Sequence, residues 1–333
     1  MKAAIIRKYG SPDVLEIDDI PKPTIASTQV LIRVLYTSVN PIDWKMRNGS
    51  FWFLSGFRFP ITLGYDVAGE IAETGRDVTR FHKGDKVFCM LDIRDRGSYA
   101  EYARAKESSV VLIPEGVSFR EAAASPLAGL TAYQALHRKG KVKRGDNVLV
   151  NGASGGVGSF AVQIAKAEGA RVTAVCGTRN TELLRSLGAD TVIDYEREDL
   201  TVISEKYDIL FDTVGTLSFP RIQTILQDTG HYITTLPYSL SNVLSFFLTP
   251  LLPVFGQRKR SSFIGVRTHG TDLQSLASLM EDKRIVPLID REYPLEAIRE
   301  AHAYSQTGHA HGKIVIKVAE EDIADIPQSF IMR

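Results

Sequence analysis

The chain has 333 residues, of which 44% are hydrophobic and 24% charged, and its formal net charge is +1. This length allows about two domains, the composition is that of an ordinary soluble protein, and a charge so close to zero gives no support for nucleic-acid binding. Cys89 and Cys176 are the only cysteines and lie far apart, and the N-terminus has no long apolar stretch, so we expect a cytoplasmic protein without a disulfide framework or signal peptide.

Residues 1–120 predict a β-rich, barrel-like domain. Short strand candidates are interrupted there by prolines and glycines, which are typical of the turns between strands. These breaks are Pro12, Pro21, Pro23, Pro41, Pro60, Gly64, Gly69, Gly75 and Gly84.

Residues 121–267 alternate between strand-like and helical segments. Such alternation predicts a doubly wound parallel sheet with helices on both faces, which is the Rossmann fold. Gly169 and Gly188 fit the C-terminal ends of two of the helices. The six strand candidates are 147–151, 171–175, 191–194, 209–212, 231–236 and 262–266.

The first of these strands is followed by a glycine-rich turn, Asn151-Gly-Ala-Ser-Gly-Gly-Val-Gly158, and then by an amphipathic helix pattern. This order is typical of a dinucleotide site, because the turn brings backbone amides to a pyrophosphate at the helix N-terminus. The turn is a variant, since Ala153 stands where the usual pattern has its first glycine. The predicted pyrophosphate contacts are Gly155, Gly156, Val157 and Gly158.

The end of the second strand predicts which dinucleotide is bound. An NAD site usually has a carboxylate there for the ribose 2′-hydroxyl, whereas this chain continues with Cys176-Gly-Thr-Arg-Asn180. Gly177 leaves room, Thr178 can donate a hydrogen bond, and Arg179 can form a charge-assisted fork to a 2′-phosphate. Because no carboxylate is available in this segment, we expect NADPH to be preferred over NADH. The alternative is that Arg179 only caps or decorates the next helix.

An apolar segment over 243–255 is followed by the basic run Gln257-Arg-Lys-Arg260. It is too short, and too interrupted by Pro250 and Pro253, to span a bilayer. Three roles stay open for residues 243–260: a lid over an apolar substrate pocket, a homodimer contact, or a peripheral membrane contact with a basic rim. We favour the lid or the dimer contact, and a monomer stays open as well.

The C-terminal elements most economically return to the first domain. They are a helix over 272–282, a strand near Leu288, a helix over 295–305 and a strand over 313–318. The predicted fold is therefore α/β, with a doubly wound, six-stranded Rossmann domain (121–267) inserted in a β-rich domain (1–120 plus 268–333). The tail over 320–333 is expected to be a surface appendage.

A series of short motifs runs through the chain in order. They are Tyr9-Gly-Ser-Pro12, Asn40-Pro-Ile-Asp43, Leu63-Gly-Tyr-Asp-Val-Ala-Gly-Glu70, Lys83-Gly-Asp-Lys-Val87, Gly97-Ser-Tyr-Ala-Glu-Tyr102, Pro126-Leu-Ala-Gly-Leu-Thr-Ala-Tyr133, Leu187-Gly-Ala-Asp190, Asp208-Ile-Leu-Phe-Asp-Thr-Val-Gly215 and Gly312-Lys-Ile-Val315. Together they resemble the medium-chain dehydrogenase/reductase superfamily, and more narrowly its zinc-independent quinone oxidoreductase and alkenal/enone reductase branch. The resemblance covers nearly the whole chain and implies that the first domain is a GroES-like catalytic domain.

The resemblance also bears on metal binding. Zinc-dependent relatives have a Cys in the segment equivalent to 38–43 and Gly-His-Glu at 64–66, where this chain presents Asn40 and Tyr65. Neither is a good zinc ligand, and a catalytic zinc needs three protein donors. His309-Ala-His311 is the only close histidine pair, and no third donor is apparent beside it. We therefore expect a metal-free enzyme.

Without a Lewis acid, alcohol oxidation is difficult at neutral pH, whereas the conjugation of a quinone or enone helps it to accept hydride. The expected activity is NADPH-dependent reduction of quinones, or of the C=C bond of α,β-unsaturated carbonyls. The alternatives are a metal-free alcohol dehydrogenase and a non-catalytic protein that binds NADPH or associates with a membrane.

The resemblance implies roles for single residues. The candidate catalytic residues are Asn40 and Thr131, near the nicotinamide, and Lys45, at the nicotinamide ribose or a developing enolate. Alternatively, Asn40 is only a turn residue, Thr131 has a hydroxyl buried against its own helix, and Lys45 is a solvated lysine. Asp43 would only orient Lys45, and Asp66 is assigned no chemistry. The candidate cofactor contacts, with Tyr195 at the adenosine end, are Ser154, Gly155, Gly156, Val157, Gly158, Thr178, Arg179, Tyr195, Thr213 and Val214.

Overall fold

Strands from both ends of the chain pair in one sheet. The computed structural model describes residues 1–56, 58–93, 95, 97–236, 240–249 and 258–321. The order in this seven-stranded sheet is β15-β16-β3-β5-β6-β8, with β7 also paired to β3. Its strands are β3 (Gln29–Val39), β5 (Asp66–Thr74), β6 (Lys86–Met90), β7 (Tyr102–Lys106), β8 (Val110–Leu112), β15 (Ile289–Pro294) and β16 (Lys313–Lys317).

A smaller sheet and four helices complete this domain within the described residues. The sheet has the order β2-β1-β4, from β1 (Lys2–Ile6), β2 (Leu15–Asp19) and β4 (Ile61–Thr62). The helices are α1 (Pro41–Arg47), α2 (Trp52–Ser55), α3 (Phe119–Ala124) and α10 (Ile298–Gln306). Helix α1 begins directly after β3, with Asn40 as its N-cap and Pro41 in its first turn, where proline is well tolerated.

The middle of the chain forms a parallel six-stranded sheet, as predicted. Its order is β11-β10-β9-β12-β13-β14, which is the Rossmann order. Because helices cover both faces, strands such as β9 are almost continuously buried. The strands are β9 (Asn147–Asn151), β10 (Arg171–Cys176), β11 (Thr191–Asp194), β12 (Tyr207–Asp212), β13 (Leu226–Thr234) and β14 (Arg260–Phe263).

Helices α4 (Pro126–Tyr133), α5 (Gly156–Ala167), α6 (Thr181–Ser186), α7 (Phe219–Ile222), α8 (Leu240–Leu248) and α9 (Gly270–Glu281) accompany this sheet. The last two predicted strands begin and end earlier than expected, at 226–234 and 260–263, because Leu226 pairs with Tyr207 and Phe263 pairs with Thr234. An isolated parallel bridge between Gly155 and Gly312 joins the glycine turn to the other domain. The two domains therefore face each other at the carboxyl ends of the parallel strands. The exact domain bounds stay a prediction.

The apolar segment at 243–260 lies only partly within the described residues. Helix α8 is anchored to β14 by a hydrogen bond between Ser245 Oγ and Ser261 Oγ (2.8 Å). Leu244 and Phe247 point outward and are 50% and 72% exposed. No described helix is long and apolar enough to cross a membrane. The three roles of this segment stay predictions, and the tail expected at 320–333 lies outside the described residues from 322 onward.

Candidate active site

The turn after β9 is packed too closely to accept side chains at two of its glycines. Gly152 has a φ of +74°, and a Cβ there would lie 2.3 Å from Val214 Cγ2. A Cβ on Gly158 would lie 2.2 Å from the carbonyl oxygen of Gly152. Gly158 therefore lets α5 pack directly against the turn that precedes it. Ala153 is fully buried, so a methyl group fits where the usual pattern has its first glycine.

Two cavities lie side by side along this turn, and each has walls from both domains. The Gly177 cavity, about 530 Å³, is lined by Asn151, Gly152, Ser154, Gly155, Cys176, Gly177, Asn180, Tyr195, Leu200, Val214, Thr216, Leu217 and 308–311. The Asn40 cavity, about 350 Å³, includes Asn40, Lys45, Leu127, Gly155, Gly156, Val157, Thr213, Val214, Leu236 and Lys313. They share Gly152, Gly155, Val214, Gly308 and Ala310, so they form one extended cleft.

This cleft brings together seven of the ten candidate cofactor contacts. They are Ser154, Gly155, Gly156, Val157, Tyr195, Thr213 and Val214. Gly158, Thr178 and Arg179 line neither cavity. The ring of Tyr195 is 62% exposed, and its hydroxyl would lie 3.1 Å from a Cβ on Gly177. The individual contacts with a cofactor stay predictions.

The expectation that no carboxylate is available near Thr178 is wrong. The hydroxyl of Thr178 donates to Asp194 Oδ2 (2.5 Å) and to Glu196 Oε2 (3.2 Å). Asp194 is the last residue of β11 and is in register with Cys176 of β10, and Glu196 lies two residues further along the chain. The segment after β10 contains no acid, but the neighbouring parallel strand supplies two. Arg179, the residue after Thr178, is exposed and makes no hydrogen bond or ion pair within the described residues.

Asp66 is the centre of a buried polar cluster in the Asn40 cavity wall. Its Oδ2 accepts hydrogen bonds from Ser38 Oγ (2.5 Å) and Asn40 Nδ2 (2.8 Å), and its Oδ1 accepts from the backbone N–H of Leu127 (2.7 Å). Lys313 Nζ lies 2.5 Å from Asn40 Oδ1 and 3.3 Å from Asp66 Oδ2. The Lys313 and Asp66 side chains are 3% and 0% exposed. Both polar ends of the Asn40 amide are thus fixed.

A second buried chain of hydrogen bonds begins at Arg47 and ends at Asp43. Arg47 Nη1 lies 3.1 Å from His302 Nδ1, His302 Nε2 lies 3.2 Å from the Tyr99 hydroxyl, and that hydroxyl lies 3.0 Å from Asp43 Oδ2. Arginine can only donate, so Nδ1 of His302 accepts, Nε2–H donates to Tyr99, and Tyr99 donates to Asp43. Asp43 Oδ2 also accepts the backbone N–H of Asn40 (2.7 Å).

The direction of this chain agrees with the protonation of its members. Burial, together with the nearby Arg47 charge, lowers the pKa of His302 to about 3, so the imidazole is neutral. Burial raises the pKa of Asp43 to about 7, although hydrogen bonds from Asn40 and Tyr99 act in the opposite direction. Among the described residues, the buried Asp43 Oδ1 has no hydrogen-bond partner, which adds to the cost of ionising this group.

The sequence suggested that Asp43 orients Lys45. This is wrong, because the hydrogen-bond partners of Asp43 are Asn40 and Tyr99. Lys45 is half-buried in the wall of the Asn40 cavity, with Nζ 5.3 Å from the centre of the Trp44 ring. Thr131 is 5% exposed and donates its hydroxyl to the carbonyl of Leu127 (2.7 Å). This is the helix-buried arrangement, and Thr131 lines neither cavity of the cleft.

An apolar pocket of about 480 Å³ opens beside the cleft and shares Leu127 with it. We call it the Tyr65 pocket. Its remaining lining residues are Ile42, Tyr65, Met90, Leu91, Asp92, Ile93, Val266, Arg267, Thr268 and His269. A mostly apolar pocket next to a dinucleotide turn suits a small organic acceptor.

Comparison with known proteins places this geometry in a family. Residues 26–115 match the alcohol dehydrogenase GroES-like domain, and residues 187–316 match the zinc-binding dehydrogenase domain. The chain is 35% identical to the chloroplast envelope quinone oxidoreductase homolog of Arabidopsis thaliana, over 95% of this chain and 98% of that protein. The chain belongs to the medium-chain dehydrogenase/reductase superfamily.

Two further relatives lie in the same part of the superfamily. The NADPH-dependent alkenal/one oxidoreductase, chloroplastic, of Arabidopsis thaliana is 34% identical over 95% of this chain and 79% of its own length. The structure of the quinone oxidoreductase from Coxiella burnetii superposes with a TM-score of 0.85 at 35% identity, over 96% of this chain and 99% of that chain. The resemblance to quinone oxidoreductases and alkenal/one reductases is confirmed.

The positions that bind zinc in other members of the superfamily carry different chemistry here. The Asn40 amide is held between Lys313 and Asp66, and the Tyr65 hydroxyl points to Met46 Sδ at 2.8 Å. Among the described residues, no group of three His, Cys, Asp or Glu side chains is arranged to hold a metal ion. The metal-free state of the enzyme stays a prediction.

Reasoning from the sequence missed the residues that hold Asn40 in place. Lys313 and Asp66 stand in superfamily motifs, Gly312-Lys-Ile-Val315 and the Leu63–Glu70 stretch, and this was a usable signal. His302 and Arg47 are both fully buried despite their polarity, yet no local pattern marks either as a site residue. The arrangement combines a dinucleotide turn, a fixed amide, two cavity-lining lysines and an adjacent apolar pocket.

Proposed function

We propose that this protein is an NADPH-dependent reductase that transfers hydride to quinones or to the C=C bond of α,β-unsaturated carbonyls. The observation that carries the proposal is the Asn40 cavity. Its lining combines the dinucleotide turn, with Gly155 and Val157, and three side chains of the other domain, Asn40, Lys45 and Lys313. The names of the two Arabidopsis thaliana relatives, a quinone oxidoreductase homolog and an NADPH-dependent alkenal/one oxidoreductase, support the same chemistry.

The residues of the cleft suit a dinucleotide. NADPH, when bound, supplies the hydride. The backbone amides of Gly156 and Val157 stand in the first turn of α5, where the helix dipole favours a pyrophosphate. Thr213 donates its hydroxyl to the carbonyl of Asn151 (2.8 Å), which fixes the next strand end beside the turn. The protein can thereby hold donor and acceptor carbons about 3–3.5 Å apart, which is a large part of such catalysis.

The acceptor's oxygen becomes negatively charged as its conjugated carbon receives hydride, and donors aimed at that oxygen lower the barrier. Lys45 and Lys313 are the two lysines that line the Asn40 cavity. Lys313 is only 3% exposed, whereas Lys45 on α1 is half-buried in the cavity wall and is therefore the more accessible of the two. We therefore assign the stabilising role to Lys45, and assign to the Tyr65 pocket the apolar part of the substrate.

NADPH rather than NADH is the proposed cofactor. Arg179 follows Gly177 and Thr178 at the end of β10 and remains available to a 2′-phosphate. Asp194 is partly neutralised by Arg197, whose Nε lies 3.4 Å from its Oδ2. The net charge around Thr178 is therefore less negative than Asp194 and Glu196 alone would make it.

A turnover assay with matched cofactors and acceptors tests the proposal. The purified chain is incubated with NADPH or NADH and with quinones, short enals or long enones, and separately with alcohols and NADP⁺. We expect oxidation of NADPH with at least one quinone or enone and little reaction with alcohols. Alcohol oxidation would favour a metal-free alcohol dehydrogenase, and tight NADPH binding without turnover would favour a non-catalytic protein.

A glycine variant links turnover to the turn. Gly158→Ala places a Cβ 2.2 Å from the Gly152 carbonyl oxygen and should abolish NADPH binding. Gly265→Ala is the matched control, because a Cβ there would have its nearest neighbour, Phe263 Cε1, at an ordinary 3.4 Å. If both variants reduce acceptors at the parent rate, the cleft is not the active site.

A further inference from the structure

The Tyr65 pocket adjoins a further cavity of about 560 Å³. The two share Arg267 and His269, which lie between β14 and α9. Arg138 and Lys139 also line the further cavity, and we call it the basic cavity. It shares no lining residue with the Gly177 cavity or the Asn40 cavity, so the dinucleotide cleft does not account for it.

The basic cavity carries an excess of positive charge. Arg138 donates to Asp272 from Nε (2.8 Å) and from Nη2 (2.7 Å), so these two charges offset each other. Arg267 and Lys139 are exposed, and neither side chain makes a hydrogen bond or ion pair in the part of the chain that the structure describes. Among the described residues that line the cavity, none is acidic. Two cations are therefore left to attract an anion.

A buried glutamine fixes the position of Arg267 without using its guanidinium. Gln134 is 3% exposed, and its Oε1 accepts the backbone N–H of Arg267 (3.0 Å) while its Nε2 donates to the Arg267 carbonyl (2.9 Å). The same Nε2 donates to Asp272 Oδ2 (2.9 Å), which is also an acceptor for Arg138. One polar cluster thus holds both arginines at the wall of the basic cavity.

Shared lining residues connect the Asn40 cavity to the basic cavity through the Tyr65 pocket. Leu127 lines the Asn40 cavity and the Tyr65 pocket, and Arg267 lines the Tyr65 pocket and the basic cavity. Most of the Tyr65 pocket is apolar, and its acidic lining residue, Asp92, lies 3.4 Å from Lys106. Asp92 would repel an anionic group inside the pocket, whereas Arg267 and Lys139 would attract one into the basic cavity.

We propose that the acceptor of this reductase is a quinone or enone with an apolar chain that ends in an anionic group such as a carboxylate. This inference rests on the proposed function and names its substrate class. The conjugated group occupies the Asn40 cavity, the chain fills the Tyr65 pocket, and the anionic end binds Arg267 and Lys139. A guanidinium suits this role because it binds a carboxylate through two parallel hydrogen bonds.

Paired acceptors test this inference. Linear enones of increasing chain length are prepared with a terminal carboxylate and as the methyl ester, and kcat/KM with NADPH is measured for each at pH 8. The ratio of acid to ester should exceed one only when the chain is long enough to reach Arg267 from the Asn40 cavity. At that length we expect a ratio of roughly three to thirty, as for one or two exposed charged contacts. Added salt should lower the ratio, because salt screens exposed charges.

Variants assign this preference to the basic cavity. The ratio of acid to ester is compared because it cancels any general effect on hydride transfer. Arg267→Gln should bring the ratio close to one, Arg267→Lys should keep part of it, and Lys139→Gln should lower it. Arg171→Gln is the matched control and should keep the full ratio, because Arg171 is exposed at the start of β10 and lines none of these cavities.

The possible failures are distinguishable. Turnover of the esters with a ratio of one at every chain length would overturn the anionic acceptor and leave the proposed function standing. A preference that does not depend on chain length, or that Arg267→Gln or Lys139→Gln leaves unchanged, would also overturn the assignment to the basic cavity. Absence of NADPH oxidation with every acid, ester and quinone would overturn the proposed function itself.

Discussion

Replacement of Tyr99 by Phe removes one hydroxyl from the middle of a buried chain. That hydroxyl donates to Asp43 Oδ2 and accepts from His302 Nε2, and the residue is 0% exposed. The substitution leaves the His302 N–H without a partner and removes one donor from Asp43. A lost hydrogen bond to a charged group costs about 1.5–3 kcal/mol, and an unsatisfied buried donor costs about 1–3 kcal/mol. We expect Tyr99→Phe to lower the free energy of unfolding by about 3–5 kcal/mol at pH 8.

The effect should depend on pH with a definite sign. Burial raises the pKa of Asp43 to about 7, above that of an unfolded aspartate, so ionisation of this group costs stability as the pH rises from about 4 to 7. The Tyr99 hydrogen bond lowers that pKa and reduces the cost. Without the hydroxyl the folded pKa is higher still, so the destabilisation should be larger at pH 8 than at pH 5.

Urea unfolding of wild type and variant at pH 5 and pH 8 measures both quantities. Tyr102→Phe is the control, because the Tyr102 hydroxyl makes no hydrogen bond within the described residues while its ring lies under Lys22. NADPH turnover in the folded variant reports whether Asn40, whose backbone N–H also binds Asp43, has moved. A Tyr99→Phe variant as stable as the control, or equally destabilised at both pH values, would refute the connection between Tyr99 and Asp43.

Four other predictions follow from the site. Lys313→Met removes the counter-charge of the buried Asp66 and should cost about 3–5 kcal/mol of unfolding free energy, whereas Lys317→Met, at the half-buried end of the same strand, should cost far less in the same unfolding experiment. Lys45→Met should fold and bind NADPH but reduce enones roughly ten- to a thousandfold more slowly; an unchanged rate in steady-state kinetics would make this lysine a surface residue. Arg179→Ala should weaken NADPH binding by at most a few kcal/mol, as about 1.5–3 kcal/mol per charged hydrogen bond implies, and should spare NADH; equal losses in parallel titrations would contradict its 2′-phosphate role. Metal analysis of the purified protein should find no stoichiometric zinc, and one chelator-sensitive zinc per chain would overturn the proposed mechanism.

The sequence by itself determined the elements whose signals are local. The alternation of strands and helices and the glycine turn after β9 could both be read along the chain. Each depends on a short-range property: a hydrophobic period, or a backbone position such as Gly152 where a φ of +74° and a crowding Val214 exclude a side chain. The family resemblance followed from the same motifs.

Only the tertiary structure decided which distant residues meet in the site. Lys313 reaches Asn40 because Ile314 of β16 is in register with Val39 of β3. The two residues are 273 positions apart in the sequence, yet this register brings them within hydrogen-bond distance. Asp194 reaches Thr178 for the same kind of reason, since its strand pairs in parallel with β10.

Such contacts depend on strand register and on how two domains face each other, and no local pattern encodes either. A shift of one residue would turn each side chain to the opposite face of its sheet. Local sequence patterns therefore predict most of the backbone that forms the cleft. The positions of the charged side chains inside it depend on how distant strands pair.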